Sequence, residues 1–253
     1  MWFQRKITTP ATSAPQHVSE PSTTPKPLSA AMKNVNSYDR ELTPEEIERG
    51  AHRDAIGGMW EEIGRLQFEF VKSRGLRPDQ KLCDVGCGAL RGGIHFVRYL
   101  DAGNYYGLDI NASLLEGGRR ELEKAGLAAK NANLLADDRF EMSRFGAKFD
   151  YMLAVSVFTH LYANHIVRCL TEARKVLAPD GQFLATFFNA PVPAHLETIK
   201  QEPGGVVTYY DRDPFHYSPE EMALIGKLAG LKTEVIGDWS HPRNQWMLAF
   251  TPA

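Results

Sequence analysis

Between residues 59 and 74 the apolar side chains fall at 59, 60, 63, 66, 70 and 71, the spacing of one helix face, and Gly75 closes the segment. From residue 81 onward short apolar runs alternate with helical stretches. The pattern predicts strands over 81–85, 105–109, 133–136, 149–157 and 182–188. Between them it predicts helices over 94–100, 113–125 and 163–177. A turn is expected at Pro179-Asp180-Gly181. Thr43-Pro44-Glu45-Glu46 and Ser218-Pro219-Glu220-Glu221 both read as capping boxes with proline at the first helical position. The second opens a helix that Gly230 ends, and strands over 233–236 and 245–250 finish the chain.

Alternating strand and helix implies a mostly parallel sheet covered on both faces. The last two strands are joined by a loop, 237–244, too short for a parallel crossover, so the last strand should run antiparallel. The expected fold is an α/β three-layer sandwich. Upstream, residues 8–37 are half Pro, Ser and Thr, a composition that buries too little apolar surface to offset ordering entropy. Residues 1–42 therefore read as a disordered tail, mildly basic through Lys26 and Lys33. Met32 is an alternative start. Residues 43–253 read as one domain with a helical cap over 43–76 and an insertion over about 189–217.

The bulk properties narrow the function by exclusion. The 253 residues carry a formal net charge of -2, which gives no general pull toward nucleic acid or an anionic membrane. No run of roughly 18 apolar residues exists to span a bilayer. The first residues lack the apolar core of a secretory signal. Cys83, Cys87 and Cys169 have neither metal-site nor disulfide-framework spacing. A reducing, cytoplasmic setting is expected.

In a parallel sheet, ligands bind beyond the carboxyl ends of the strands. After the first strand come Gly86, Gly88, Gly92 and Gly93, where the backbone can turn sharply and approach a ligand. The helix that follows offers free N–H groups to a carboxylate or phosphate. After the second strand comes Asp109, about 23 residues beyond Gly86, able to accept hydrogen bonds from a ribose diol. Asp84 stands two residues before the first glycine. It would repel a pyrophosphate, and Arg91 replaces the third glycine of the dinucleotide fingerprint. An ammonium would be welcomed there. A ligand with both an amino-acid end and a nucleoside end fits S-adenosylmethionine and disfavours a nicotinamide cofactor.

From residue 59 to 251 the chain resembles the class I S-adenosylmethionine-dependent methyltransferases. The carriers are DVGCG (Asp84 to Gly88), YYGLDI (Tyr105 to Ile110), ADD (Ala136 to Asp138), FDYMLAVSVFTHL (Phe149 to Leu161) and VLAPDGQFLATFF (Val176 to Phe188). The resemblance implies a seven-stranded Rossmann-like sheet with a reversed last strand. It implies that Gly86 and Gly88 cradle the methionine part, that Asp109 holds the ribose, and that Asp138, Arg139 and Phe140 lie near the adenine. Many relatives carry a further glycine where this chain has Leu90, which puts the path of the turn around Arg91 in question. Arg91 is assigned to the cofactor carboxylate, with the acceptor as its alternative.

Methyl transfer needs an acceptor positioned in line, and a hydroxyl acceptor needs a base or a metal. The segment after the fourth strand, Ser156 to Leu161, should face the transferred methyl. Ser156 is assigned to the cofactor and His160 to the catalytic base, because imidazole titrates near neutral pH. His165 is expected on a helix surface, and Cys87 as a small filler. Trp60 reads as core, although its helix, with Gly64 and Gln67, should cover the cofactor. The insertion, ending in Tyr209 to Tyr217, is too long for an ordinary loop and reads as an acceptor lid. Asp211, Asp213 and His216 offer a metal site with His160, but their spacing matches no metal motif, so magnesium is compatible yet unsupported. His241 and Arg243, in the final hairpin loop, are placed within reach of the acceptor. The expected activity is O-methylation of a small-molecule or glycan hydroxyl, without nucleic-acid or membrane partners. The alternatives are an N- or carboxyl-methyltransferase, a nicotinamide oxidoreductase, or a non-catalytic cofactor-binding protein.

Overall fold

A computed structural model describes residue 38 and residues 40–253. The tail expected over 1–42, with Lys26 and Lys33, and the alternative start at Met32, therefore lie outside the described residues except for 38 and 40–42. Those few are held against the domain. Asn111 Nδ2 donates to the carbonyls of Tyr38 and Arg40, each at 2.9 Å, and Leu42 N donates to Ser113 Oγ at 2.8 Å. Leu42 is buried with Ile47 and Leu114.

Both capping boxes form, each with its reciprocal pair of bonds. The first opens only a short helix, α1 (Pro44–Glu48), because Gly50 turns left-handed and a second short helix, α2 (Ala51–Ala55), starts anew. Then follow α3 (Trp60–Ser73), β1 (Leu82–Val85), α4 (Gly93–Tyr99), β2 (Tyr105–Asp109) and α5 (Ala112–Lys124). Next are β3 (Asn133–Ala136), β4 (Phe149–Ala154), α6 (Ala163–Val176) and β5 (Leu177–Asn189). The insertion holds a hairpin of β6 (Ile199–Gln201) and β7 (Val206–Thr208), then β8 (His216–Tyr217). The chain ends with α7 (Pro219–Leu228), β9 (Leu231–Asp238) and β10 (Gln245–Pro252).

The main sheet has the order β3-β2-β1-β4-β5-β10-β9. Strands β1 to β5 pair in parallel, and β10 is antiparallel to both neighbours, as the short final loop requires. The short β8 adds an eighth strand, parallel to the end of β5 through Phe188 and Asn189. Strand alternation divides the core between two faces. Cys83, Val85, Met152 and Ala154 pack with α6 and α7 side chains such as Leu170 and Ile225. Leu82, Leu153 and Leu184 pack on the other face with Val71, Phe96 and Leu122 of α3, α4 and α5.

Two expectations shift. β4 stops at Ala154, short of Val157, because Ser156 takes a left-handed φ of 59° and the chain enters a 3-10 turn over Phe158–His160. The turn expected at 179–181 sits inside β5. Leu177 pairs with Phe149 and Gln182 with Tyr151, so the residues between bulge out of the ladder.

Candidate functional site

β1 and β4 are the neighbours at which the strand order reverses, and the cleft opens at their carboxyl ends. The loops after these strands touch. A Cβ on Gly86 would stand 2.4 Å from Val157 Cγ2, and Gly86 has a φ of 70°, so both space and conformation call for glycine. Leu90, at the position where a further glycine was in question, also adopts a left-handed φ of 67°. It is fully buried, and Gly93 and Gly118 leave the room it fills: a Cβ on either would come within 3 Å of it. The turn thus keeps its path with a leucine because two glycines clear its side chain.

Asp109 braces this turn. Its two carboxylate oxygens accept from Gly88 N at 2.7 Å and Asn111 N at 2.9 Å. Burial pushes its carboxyl up, and the backbone donors oppose that. Asp84 is also buried and accepts from Tyr105 Oη at 2.8 Å. Burial raises it to about 7, against the pull of the Tyr105 hydroxyl. A carboxyl held there half-ionised is poised to gain a cationic partner.

Asp84, Gly86, Gly88, Arg91, Asp109, Asp138, Ser156 and His160 all line the one cleft, together with Gln67 and Phe140. The cleft is concave and open to solvent on one side, the form of a small-molecule site. Arg139 is not among the lining residues; its backbone N donates to Asp137 Oδ1 in the turn that presents Asp138 and Phe140. Ser156 meets the cleft, but its hydroxyl donates to Gln245 Oε1 at 3.0 Å. Trp60 lies outside the cleft, under the Arg53 guanidinium. Cys87 is buried and its thiol pushed up by burial, which suits a filler rather than a nucleophile. His165 is half-buried on α6.

The insertion reaches the cleft at one point. Phe215 N donates to Thr159 O at 2.7 Å, which brings Asp213 Oδ1 into contact with His160 Nδ1. The rest of the proposed metal group does not assemble. His216 is buried elsewhere, with Nδ1 on Thr208 Oγ1 and Nε2 donating to His195 O, and Asp211 is exposed. Among the described residues no cluster of three His, Cys, Asp or Glu side chains is arranged to hold a metal.

Tyr38 escaped the sequence reading because it follows directly on the Pro/Ser/Thr-rich stretch. It lines the cleft and meets the His160 ring edge-on, with centroids 4.7 Å apart. The change in composition at its position, from small polar residues to Tyr38-Asp39-Arg40, was the available signal.

Residues 83–183 match the family described as a methyltransferase domain. Over 224 residues the chain is 27% identical to a 27-O-demethylrifamycin SV methyltransferase of Amycolatopsis mediterranei, covering 83% of this chain and 75% of that protein. Residues 83–183 thus carry a methyltransferase domain, and the chain is similar to S-adenosylmethionine-dependent methyltransferases. Over 129 residues it is 30% identical to a fatty-acid O-methyltransferase of Mycolicibacterium smegmatis, a match covering 50% of this chain and 44% of that relative. The methyltransferase fold recurs in solved structures of low identity. A putative O-methyltransferase from Nostoc punctiforme has a TM-score of 0.61 at 18% identity, over 88% of this chain and 66% of that one. The magnesium protoporphyrin IX methyltransferase of Synechocystis, with S-adenosylhomocysteine bound, has a TM-score of 0.55 at 14% identity, over 76% and 85%. The solved relatives with bound S-adenosylhomocysteine or S-adenosylmethionine point to S-adenosylmethionine as the cofactor, and the cleft fits it: glycines where the backbone must be approached, a buried carboxyl that makes no direct ion pair among the described residues, and a second buried carboxylate at the end of the neighbouring strand.

Proposed function

We propose that the protein transfers the methyl group of S-adenosylmethionine to a hydroxyl of a small molecule or glycan, with His160 as general base. The observation that carries this reading is the contact of His160 Nδ1 with Asp213 at the rim of the cofactor cleft. A carboxylate on Nδ1 fixes the imidazole with Nε2 as the proton acceptor and stabilises the imidazolium that forms. An amine or carboxylate acceptor would have less use for such a pair.

When bound, S-adenosylmethionine supplies an electrophilic methyl carbon and a thioether leaving group. Asp84 pairs with its ammonium, Asp109 accepts from its ribose hydroxyls, and Gly86 and Gly88 let the backbone close on the methionine arm. Of the two roles open to Arg91, the cofactor's carboxylate or the acceptor, its place beside Arg243 favours the acceptor, and Asp138 and Phe140 flank the adenine. Arg139 and Ser156 act through their backbones, by shaping the two turns. His160 Nε2 would take the acceptor's hydroxyl proton, leaving the oxygen free to accept the methyl group that the bound cofactor would supply. Tyr38 and Val157 narrow the mouth and exclude water.

No helix among the described residues is long and apolar enough to cross a membrane. Cys83, Cys87 and Cys169 are all buried and unpaired, which supports a reducing, cytoplasmic setting. The near-neutral charge supports a small acceptor over nucleic acid.

The test is a calorimetric titration with S-adenosylhomocysteine and with NADPH, followed by a screen of hydroxylated acceptors for methyl transfer with and without magnesium. Binding of the first nucleoside alone, and turnover that persists without magnesium, is the expected result. Turnover restricted to amines, or dependent on added metal, would remove His160 from its role.

A further inference from the structure

Two guanidiniums lie together beside the cleft, and among the described residues neither is in direct contact with a carboxylate; Asp84 acts on Arg91 only at longer range. Arg91, 6% exposed, donates through Nη1 to the carbonyls of Ile56 and Gly58, at 3.3 and 2.9 Å. Arg243, from the β9–β10 loop, donates through Nη2 to the Gly57 carbonyl between them. Among the described residues neither guanidinium has a carboxylate oxygen within 4 Å. Neutral carbonyls order these cations but do not cancel their charge, and a buried charge without a counter-ion is costly.

Two buried donors also point nowhere. Arg91 Nε has no hydrogen-bond partner, and neither has His241 Nε2. His241 Nδ1 accepts from Arg243 N at 3.2 Å, so the proton of the neutral ring sits on Nε2. Burial and the two neighbouring guanidiniums press His241 down to about 3, so the ring stays neutral and offers Nε2 as a donor. Burial, and then Arg243, lower Arg91 to about 10, which leaves it charged near neutral pH.

We infer that Arg91, Arg243 and His241 form a binding site for an anionic group, carboxylate or phosphate, carried by the methyl acceptor. The naming of the ligand as the acceptor rests on the function proposed above; the anion site itself does not. An anionic oxygen can accept from Arg91 Nε and His241 Nε2 while sharing the charge of both guanidiniums. Arg91 and Arg243 act electrostatically on Tyr38, which lines the cleft with Arg91 and meets the His160 ring edge-on. An acceptor anchored there presents its far end toward the base. The acceptor class that follows is a hydroxylated acid or a phosphorylated alcohol or sugar.

The experiment uses the full chain and two minimal probes, acetate and inorganic phosphate, titrated at constant ionic strength by calorimetry and by melting temperature. Each titration is run with and without saturating S-adenosylhomocysteine. Binding of at least one probe, kept within about twofold in the presence of the nucleoside, is expected; the better probe tells carboxylate from phosphate. Arg243→Gln should weaken that binding at least fivefold and leave the affinity for S-adenosylhomocysteine within twofold. If that variant does not fold, His241→Phe keeps a ring against Trp239, removes the Nε2 donor, and should weaken the probe about threefold. Three results overturn the inference: no response of either probe beyond a chloride control, equal binding by wild type and variant, or displacement of the probe by S-adenosylhomocysteine. The last would make the pair the cofactor's carboxylate clamp. If the nucleoside itself fails to bind wild type while the probe still depends on Arg243, the cofactor reading falls and the anion site stands.

Discussion

Asp84, Gly86, Gly88 and Asp109 all lie within three residues of the end of β1 or β2. Tyr38, His160, Asp213 and Arg243 come instead from the strap before α1, the turn after β4, the insertion and the last hairpin loop. The cofactor side of the cleft is therefore fixed by the local geometry of two neighbouring strands, braced by the bond from Gly88 N to Asp109. The acceptor side exists only when four distant segments have docked. The first can stay constant while the second varies, since loops tolerate change that core strands do not.

The difference predicts separable effects. His160→Ala should reduce methyl transfer by about 10²–10⁴-fold, the usual worth of a general base, with S-adenosylhomocysteine affinity unchanged by calorimetry. Asp213→Asn should fall in the same direction by a smaller factor, and the double variant should lose little beyond His160→Ala, because the two act as one unit. Equal turnover by wild type and His160→Ala would reduce the acceptor side to a packing surface.

On the cofactor side the largest effect belongs to Asp109. Its carboxylate already serves Gly88 N and Asn111 N, so Asp109→Ala would remove the proposed ribose contact and loosen the turn together. Hydrogen bonds to a charged group are worth about 1.5–3 kcal/mol each, so a loss of roughly 100-fold in S-adenosylhomocysteine affinity is expected. A drop in melting temperature should accompany it. Retained affinity would break the assignment of the ribose to this residue.

The same contrast governs how far the site could be read from the amino-acid order. The strand alternation, the two capping boxes and the reversed last strand are local patterns, and the structure bears them out. The glycine turn was legible because Gly86, Gly88 and Asp109 are tied to strand ends. His160 could be picked out as the candidate base, but which carboxylate would meet its ring could not. Asp213, Asp211 and His216 stand equally close in sequence, and only the bond of Phe215 N to Thr159 O decides that Asp213 arrives. Tyr38 was hidden by its neighbours' composition. Arg243 and Arg91 are far apart in the chain, and only the loop carbonyls of 56–58 bring them together.

Leu90 tests whether the glycine turn is bound to glycine. Its left-handed backbone is strained for leucine, at roughly 1–3 kcal/mol, yet its side chain is fully buried. Removing a buried leucine side chain costs about 2–5 kcal/mol. Leu90→Gly should therefore destabilise the protein by about 2 kcal/mol in denaturant unfolding, burial outweighing strain. A stabilised variant would reverse that order.

The smallest predicted effect separates the charge of Asp84 from its shape. Burial raises this carboxyl to about 7 in the free protein. A folded value above the unfolded one near 4 contributes stability that is present at low pH and lost as pH rises through 7. Binding an ammonium demands the ionised form, so cofactor affinity should move the opposite way. At pH 6 only about one-tenth of a group titrating near 7 is ionised. The affinity for S-adenosylhomocysteine should therefore tighten by up to about tenfold between pH 6 and neutral pH and above, while the free protein loses stability over the same range. Asp84→Asn should flatten both slopes, bind more weakly above pH 7, and leave the unliganded fold more stable there. A binding slope that persists in Asp84→Asn would assign the pH dependence to another group and leave Asp84 as a partner of Tyr105 alone.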